Sequence, residues 1–166
     1  MNAVSQRDWE IRALANDSEA SHCASAMAAS DPWLTLGIPA EALFRHLTDR
    51  TREVFVVGQE GRVAGSLILN LNGPLKGYIQ SIFVFREFQN QGLGARIVEF
   101  AEQRIFRECP NAFLCVSSFN EKAQRWYHRL GYEKVGELTD YLVAGHSEII
   151  LRKTRGPALT YSPSRA

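Results

Sequence analysis

The sequence predicts a single α/β domain. Segments with the alternating pattern of strands are interleaved with segments of helical periodicity, and we find no internal repeat. The length of 166 residues is about that of one domain. With 45% hydrophobic and 22% charged residues, the composition is that of an ordinary folded protein, which excludes a disordered chain.

The first three predicted elements are a strand and two helices. Apolar and polar residues alternate over Trp9–Leu14, a pattern typical of a half-buried strand. The run Asn16-Asp17-Ser18 can supply the N-cap of a helix, and Ala20–Ala29 that follows is rich in helix-forming residues. Pro39 suits the first turn of a second helix, which reaches about Asp49.

Three strands follow with short connections. Glu53–Val57 and Val63–Leu71 have strand patterns, and residues 59–62 between them form a hairpin turn that contains a glycine. Gly77–Val84 is the third strand of this group, and a loop connects it to the next helix.

A long helix, a buried strand and a second helix come next. Apolar residues recur at helical spacing over Gly92–Cys109, and Pro110 ends this helix. Ala112–Val116 is wholly apolar, as expected of a strand inside a sheet. Asn120–Leu130 has one apolar face and is followed by Gly131, a favoured residue after a helix end.

The last two strands complete the predicted domain, which covers residues 1–153. They are Tyr132–Glu137 and Ser147–Leu151. Residues 154–166 contain Pro, Ser and Arg without an apolar period, and this composition predicts a disordered tail.

Charge and composition exclude several classes of function. A net charge of +1 and the absence of any block of five like charges argue against nucleic-acid binding. Neither a membrane helix nor a signal-peptide core is visible, so we expect a cytoplasmic protein without membrane contact. The three cysteines lie in apolar runs without metal-ligand spacing, which predicts packed, reduced thiols and no metal site; they are Cys23, Cys109 and Cys115.

The segment QNQGLG at residues 89–94 lies between a predicted strand and a predicted helix. Its two glycines allow the backbone to approach a ligand, and the helix start offers unpaired N–H groups and partial positive charge. This arrangement predicts a phosphate or pyrophosphate site. It matches neither a Walker loop nor a dinucleotide-binding fingerprint. On these residues alone, a tight turn without a ligand is an equal alternative.

Two motifs in the chain resemble those of the GNAT superfamily of N-acetyltransferases. The pattern Q-x-x-G-x-G at residues 89–94 resembles the acetyl-CoA motif of that family. The pattern N-x-x-A-x-x-W-Y-x-x-L-G-Y at residues 120–132 resembles the second half of its core. The resemblance covers residues 53–153, and the two preceding helices agree with the family's order. It implies the acyl-CoA N-acyltransferase fold, a mixed six- to seven-stranded twisted sheet with two helices on each face.

The resemblance also implies a place for acetyl-CoA. Backbone amides at the start of the long helix would hold the pyrophosphate, and a bulge would splay the Gly77–Val84 strand from its neighbour Ala112–Val116. The pantetheine arm would pair with the strand edge in that gap. Asn120 would bind the arm, although it is equally suited to cap a helix. The cofactor-binding residues implied are Ile82, Phe83, Val84, Gln89, Asn90, Gln91, Gly92, Leu93, Gly94, Ala95, Asn120 and Tyr127.

Tyr127 would face the thioester sulfur in this family, the alternative being simple core packing. The ordinary pKa of tyrosine is ~10 and that of a thiol ~8.5, so the phenol is better suited to stabilise a departing thiolate by a hydrogen bond than to protonate it outright.

The general base is not assigned by the resemblance. Several family members carry a glutamate at the place that corresponds to Tyr78, but residues 77–85 contain no carboxylate. A base acting through a water molecule is the expectation, and a loop or surface position is the alternative for each candidate. The candidates are Glu53, His146 and Glu148.

The activity implied is N-acetyl transfer from acetyl-CoA to a primary amine, by direct attack in a ternary complex. The acceptor would enter over residues 31–37 and 138–146; Trp33 there either lines the acceptor site or caps the core. The acceptor is a small molecule or a protein N-terminus, and pairing of the last strands would give a homodimer. One alternative is a CoA-binding sensor or partner module without catalysis, and another is a nucleotide-phosphate binder.

Overall fold

One mixed β-sheet carries helices on both of its faces. In the computed structural model, which describes residues 9–163, the chain forms seven strands and four α-helices. The strands are β1 (Glu10–Ala13), β2 (Glu53–Gln59), β3 (Arg62–Asn70), β4 (Tyr78–Val84), β5 (Asn111–Ser117), β6 (Glu133–Leu138) and β7 (Glu148–Thr154). The helices are α1 (Asp17–Ala28), α2 (Ala40–Leu47), α3 (Leu93–Ile105) and α4 (Glu121–Arg129). Their order along the chain is the predicted one.

The strands are arranged across the sheet in the order β1-β2-β3-β4-β5-β7-β6. Neighbouring strands are antiparallel except for β4 and β5, which run parallel and are connected through α3. A helical crossover is the usual way to join two parallel neighbours. The prediction of a mixed six- to seven-stranded sheet is confirmed.

Side chains that alternate along β3 show which helix covers which face. The Ser66 Oγ lies 3.9 Å from the Met27 Sδ of α1, whereas a Cβ on the neighbouring Gly65 would lie 3.5 Å from the Ile97 side chain of α3. Because successive residues of a strand face opposite sides, α1 and α3 cover opposite faces. α2 packs on α1, and α4 adjoins α3 through Trp126, so each face carries two helices.

The core lies between the sheet and these helices. Both faces contribute to it, and each of the following side chains is less than 2% exposed: Met27, Leu47, Val56, Val57, Leu67, Ile68, Leu69, Leu93, Ile97, Ile105 and Tyr132.

A bulge in β4 opens the sheet. The register between β3 and β4 shifts between Ile68 and Leu69, which makes Gln80 the extra residue of β4. Within the described chain, β4 and β5 pair only through Tyr78 and Ile79. Beyond these two pairs the strands diverge and leave a gap, the arrangement that the resemblance implied.

Two predicted helix starts are confirmed by their caps. The Asn16 Oδ1 accepts a hydrogen bond of 3.0 Å from the Glu19 N–H at the start of α1. The Asn120 Oδ1 accepts one of 3.2 Å from the Ala123 N–H at the start of α4. Each side chain satisfies an N–H that has no partner within its own helix.

The end of the chain differs from the disordered tail predicted for residues 154–166. Thr154 still belongs to β7, and the Tyr161 hydroxyl donates a 2.7 Å hydrogen bond to the Phe106 carbonyl at the end of α3. The Arg155 guanidinium lies over the Phe106 ring, 4.1 Å from its centroid. The side chains of Tyr161 and Arg155 thus hold the segment after β7 against α3, although its sequence has no apolar periodicity. Residues 164–166 lie outside the described part of the chain.

Candidate functional site

The gap between β4 and β5 opens into a cleft of about 780 Å³. This volume is within the range of small-molecule and cofactor sites. The cleft extends from the start of α3 to the loops before α2 and after β6. The predicted site residues that line it are Trp33, Ile82, Phe83, Val84, Gln89, Asn90, Gly92, Gly94, Ala95, Asn120, Tyr127 and Glu148.

At one end of the cleft, the backbone is arranged for an anion. Asn90 and Gly92 have φ angles of 58° and 81°, which turn the chain into α3. The Arg96 N–H bonds the Gly92 carbonyl at 3.3 Å and closes the first helical turn. The amides of Gly94 and Ala95 precede this bond, so they are among the N–H groups that a helix leaves without an internal partner. Together with the helix dipole, they suit a phosphate group.

Two residues of the segment 89–94, Gln91 and Leu93, direct their side chains away from the cleft. The Leu93 side chain is in the core at 1% exposure, and the Gln91 Nε2 donates to the Glu87 carbonyl at 2.8 Å. Neither side chain lines the cleft, so any contribution of these two residues to the site is through the backbone.

The middle of the cleft follows β4 past its bulge. Ile82, Phe83 and Val84 line it on the side where β5 has diverged. Trp33 packs edge-to-face on Phe83, with ring centroids 5.9 Å apart, and also lines the cleft. Trp33 therefore lines the cleft and also covers the core residue Phe83; that it contacts an acceptor stays a prediction.

Asn120 and Tyr127 reach the cleft from α4. The Tyr127 ring lies between those of Trp126 and Tyr132, at centroid distances of 4.7 and 5.6 Å. Burial raises the pKa of Tyr127, which keeps its phenol neutral and able to donate a hydrogen bond. The same aromatic cluster holds the ring in a fixed orientation.

Glu148 also lines the cleft, at the start of β7. Its side chain is buried, and its Oε1 accepts a 2.7 Å hydrogen bond from the Ser117 hydroxyl. Burial raises the pKa of Glu148, and the Ser117 hydrogen bond offsets part of that shift. Strand pairing places Tyr78, Cys115 and Ser117 on the same face of the sheet, because Tyr78 pairs with the residue two before Cys115.

The other two candidates for the general base are not brought to the cleft. Glu53 forms a two-pronged ion pair with Arg104 of α3, at 2.5 and 2.8 Å, and is occupied there. The His146 ring packs against Phe119 with centroids 4.9 Å apart. The expected shared face of His146 and Glu148 requires a strand at His146, but β7 begins at Glu148.

Three residues that line the cleft carry no functional signal in the sequence. One is Cys115, whose apolar run predicts a packed thiol; it is half-buried and faces Tyr78, and burial raises the pKa of its thiol. The other two are Arg52, the residue before β2, and Gln80 of β4; the Arg52 guanidinium donates to the Gln80 side-chain oxygen. No local motif marks this pair, since their contact depends on the bulge.

In the described residues 9–163, three further properties bear on function. All three cysteines are free, and no group of three or more His, Cys, Asp or Glu side chains is placed to hold a metal ion. None of the helices in this part of the chain has the length and apolar character needed to cross a membrane.

Comparison with known proteins gives one family. Residues 11–132, more than half of the chain, match the acetyltransferase (GNAT) family. A curated, uncharacterized N-acetyltransferase of Methanocaldococcus jannaschii is 28% identical over 103 residues. That match covers 61% of this chain and 65% of the relative, so it spans less than two thirds of the relative's length.

Two solved structures share the fold. The ribosomal-protein-S18-alanine N-acetyltransferase from Escherichia coli superposes with a TM-score of 0.70 at 20% identity, covering 91% of this chain and 96% of its own. The spermidine/spermine N-acetyltransferase from Vibrio cholerae gives 0.67 at 17% identity, covering 89% and 95%. Their names give acceptors as different as a protein alanine and a polyamine.

Proposed function

Because this chain belongs to the acetyltransferase (GNAT) family, we propose that it transfers the acetyl group of acetyl-CoA to a primary amine by direct attack in a ternary complex. One observation carries the proposal: the gap between β4 and β5 joins an anion-binding helix start to a buried carboxyl and a phenol. A long, flexible cosubstrate with a pyrophosphate at one end and a thioester at the other fits this sequence of groups.

The residues present fit acetyl-CoA along the whole cleft. The amides of Gly94 and Ala95 would hold the pyrophosphate. The edge of β4 at residues 82–84 would pair with the amide groups of the pantetheine arm, as an added strand pairs with a sheet. The Val84 carbonyl at this edge already accepts a 3.1 Å hydrogen bond from the Gln89 Nε2, so the other peptide groups of the edge would carry the pairing. Asn120 uses its Oδ1 as a helix cap, which leaves its side-chain NH₂ to donate to the arm.

Acetyl-CoA would supply an activated acetyl group and a thiolate leaving group. In the transfer to a neutral amine, a C–N bond forms, the C–S bond breaks, and the attacking nitrogen loses one proton; an acceptor bound as its ammonium form first loses another. Glu148 would accept that proton, directly or through a water molecule. A backbone N–H near Phe83 or Val84 would stabilise the negative charge on the carbonyl oxygen. Tyr127 would donate a hydrogen bond to the departing sulfur.

The acceptor amine must be neutral to attack, so its pKa determines the free energy needed to deprotonate it. At pH 7, deprotonating an α-amine with a pKa near 8 costs about 1.4 kcal/mol, whereas a lysine side chain costs about 4.6 kcal/mol. The raised pKa of Glu148 brings it closer to that of an α-amine, so proton transfer from such an acceptor is the less uphill case.

The proposal is tested by incubating the protein with acetyl-CoA and a panel of amines, following release of the CoA thiol and the mass of the products. We expect amine-dependent thiol release with kinetics that require both substrates to be bound, and a raised melting temperature with acetyl-CoA. Acetyl-CoA binding without any transfer would support a CoA-binding sensor or partner module. Stabilisation by ATP or NAD but not by acetyl-CoA would support a nucleotide-phosphate binder, and an acetylated cysteine would contradict direct attack.

A further inference from the structure

The acceptor end of the cleft contains an arginine held in place by two neighbours. The Arg52 Nε lies 3.0 Å from the Asp49 Oδ2, and its Nη1 donates to the Gln80 Oε1. The Arg52 side chain is 20% exposed, and the residue lines the cleft. A guanidinium fixed on two sides loses little further entropy when it binds a third group.

Gln80 is at this position because of the bulge in β4. Arginine carries only donors, so Gln80 must direct its oxygen to Arg52, which leaves its NH₂ as a donor. Asn70 and His46 line the same end of the cleft. Burial and the charge of Arg52 lower the pKa of His46, so its ring is neutral near pH 7. This end of the cleft is therefore rich in hydrogen-bond donors.

The carboxylates in the cleft are few and already engaged. In the described part of the chain, only Asp31 and Glu148 line it as acids. The Asp31 Oδ1 accepts from the Thr35 hydroxyl at 2.6 Å, and Glu148 is buried beside Ser117. An acceptor with several ammonium groups would find one exposed carboxylate here and a fixed guanidinium.

We propose that the acceptor carries a carboxylate on the same molecule as its amine, and that Arg52 and Gln80 bind this carboxylate. The inference rests on the proposed acetyl transfer and specifies its substrate class. The guanidinium retains Nη2 for the anion, because Nε and Nη1 face Asp49 and Gln80. The carboxylate belongs either to a free amino acid or to an acidic residue near a peptide N-terminus.

The test compares acceptors that differ only in the carboxylate. Lysine and cadaverine form one pair, an α-amino acid and its amide a second, and peptides beginning Ala-Glu or Ala-Gln a third. In at least one pair, we expect kcat/KM to be about tenfold to hundredfold higher for the acceptor that carries the carboxylate. This is the usual effect of a hydrogen bond to a charged group. The second pair tests a free amino acid and the third a peptide.

Variants of Arg52 connect the preference to the proposed residue. R52Q should remove the preference mainly by raising KM for the carboxylate acceptor, and R52K should restore part of it. R50Q is the matched control: it removes the same charge two residues away, from an exposed position that does not line the cleft. Melting temperatures with and without acetyl-CoA establish that each variant is folded and binds the cosubstrate.

The outcomes separate this inference from the proposed function. Acetyl transfer that is equally fast for both members of every pair, or faster for the members without a carboxylate, overturns the inference and leaves the proposed function standing. A preference that survives in R52Q assigns the carboxylate to other residues and overturns it as well. Acetyl-CoA that neither stabilises the protein nor reacts overturns the proposed function itself.

Discussion

Glu148 combines two opposing effects on one carboxyl group. Burial favours the neutral acid, and the Ser117 hydroxyl favours the carboxylate. The balance leaves the pKa above its ordinary value of 4.5. A carboxylate that binds a proton more readily than usual is a better general base near neutral pH.

The first prediction concerns the pH dependence of the reaction. A base acts in its deprotonated form, so kcat/KM should fall as the pH decreases through the raised pKa of Glu148. E148Q should remove this acidic limb and lower kcat by about 10²- to 10⁴-fold. S117A should move the limb to higher pH, because it removes the hydrogen bond that stabilises the carboxylate.

Profiles of kcat/KM against pH with a single amine check both variants, and S118A serves as a control that loses a nearby hydroxyl without touching Glu148.

The pH dependence of stability provides a second readout. Between the ordinary and the raised pKa, the folded state binds more protons than the unfolded state, so the free energy of unfolding should fall as the pH rises through this window. E148Q should flatten that slope; an unchanged acidic limb in E148Q would remove Glu148 from the mechanism.

The second prediction concerns the Tyr127 hydroxyl. Y127F keeps the ring in its aromatic cluster but removes the hydroxyl that we propose donates to the departing sulfur. We expect kcat to fall about 10- to 100-fold, the usual effect of a hydrogen bond to a charged group, with little change in KM for acetyl-CoA. Y132F is the matched control, since Tyr132 belongs to the same cluster but does not line the cleft. Equal kcat values for Y127F and the native protein would assign Tyr127 to packing alone.

At the scale of elements, the junction of β4 and β5 depends on one glycine. Gly77 precedes β4 with a φ of 84°, and its carbonyl accepts a 3.0 Å hydrogen bond from the Phe113 N–H. A Cβ on Gly77 would lie 2.1 Å from the Asn111 carbonyl oxygen. Only glycine fits a position that is both left-handed and this close to another backbone.

The third prediction follows from this contact. G77A should lower the free energy of unfolding by about 3 kcal/mol or more, because the backbone of β4 or β5 must move. G61A is the control: Gly61 also has a positive φ, 77°, but its Cβ would meet nothing within 4 Å. It should cost only about 1 kcal/mol, from the left-handed conformation alone. Chemical denaturation measures both; equal losses would show that the close contact relaxes freely.

The elements were largely predictable from the sequence, and the contacts between them were not. Local signals located the Asn120 cap and the glycine turn into α3, because both act within a few residues. The contact of Arg52 with Gln80 joins two residues that are 28 positions apart in sequence and requires the bulge in β4. Likewise, Glu53 and Glu148 both begin a strand, and nothing in the local sequence distinguishes them. In the structure Glu53 forms an ion pair with Arg104, whereas Glu148 lines the cleft.

At the scale of the whole molecule, the segment after β7 extends the domain beyond its predicted boundary. The contacts of Tyr161 and Arg155 with Phe106 lie at the C-terminal end of α3, remote from the turn at residues 89–94. They are single polar and cation–π contacts, which produce no periodic pattern that a sequence could reveal. Their position indicates a role in stability and none in the transfer.

The fourth prediction tests this role. Y161F removes the hydrogen bond to the Phe106 carbonyl and should cost about 1 kcal/mol of stability. For a chain of this length, that corresponds to a decrease in melting temperature of roughly 3 °C. The kcat and both KM values should stay unchanged, as measured on the same preparations. A change in KM for acetyl-CoA would show that the tail and the helix start are coupled through α3.

In the described part of the chain, two residue pairs join β4 to β5, so the sheet consists of two halves that are hydrogen-bonded to each other only at one end of these strands. Beyond these pairs, β4 and β5 each have an edge whose peptide groups cannot bond to the other strand and need other hydrogen-bond partners. The pantetheine arm of the proposed acetyl-CoA would supply such partners for β4 and would lie in the sheet as an additional strand. Slow hydrogen exchange at the Ile82 and Val84 amides, which face away from β3, would then report how often the arm is bound, without any turnover.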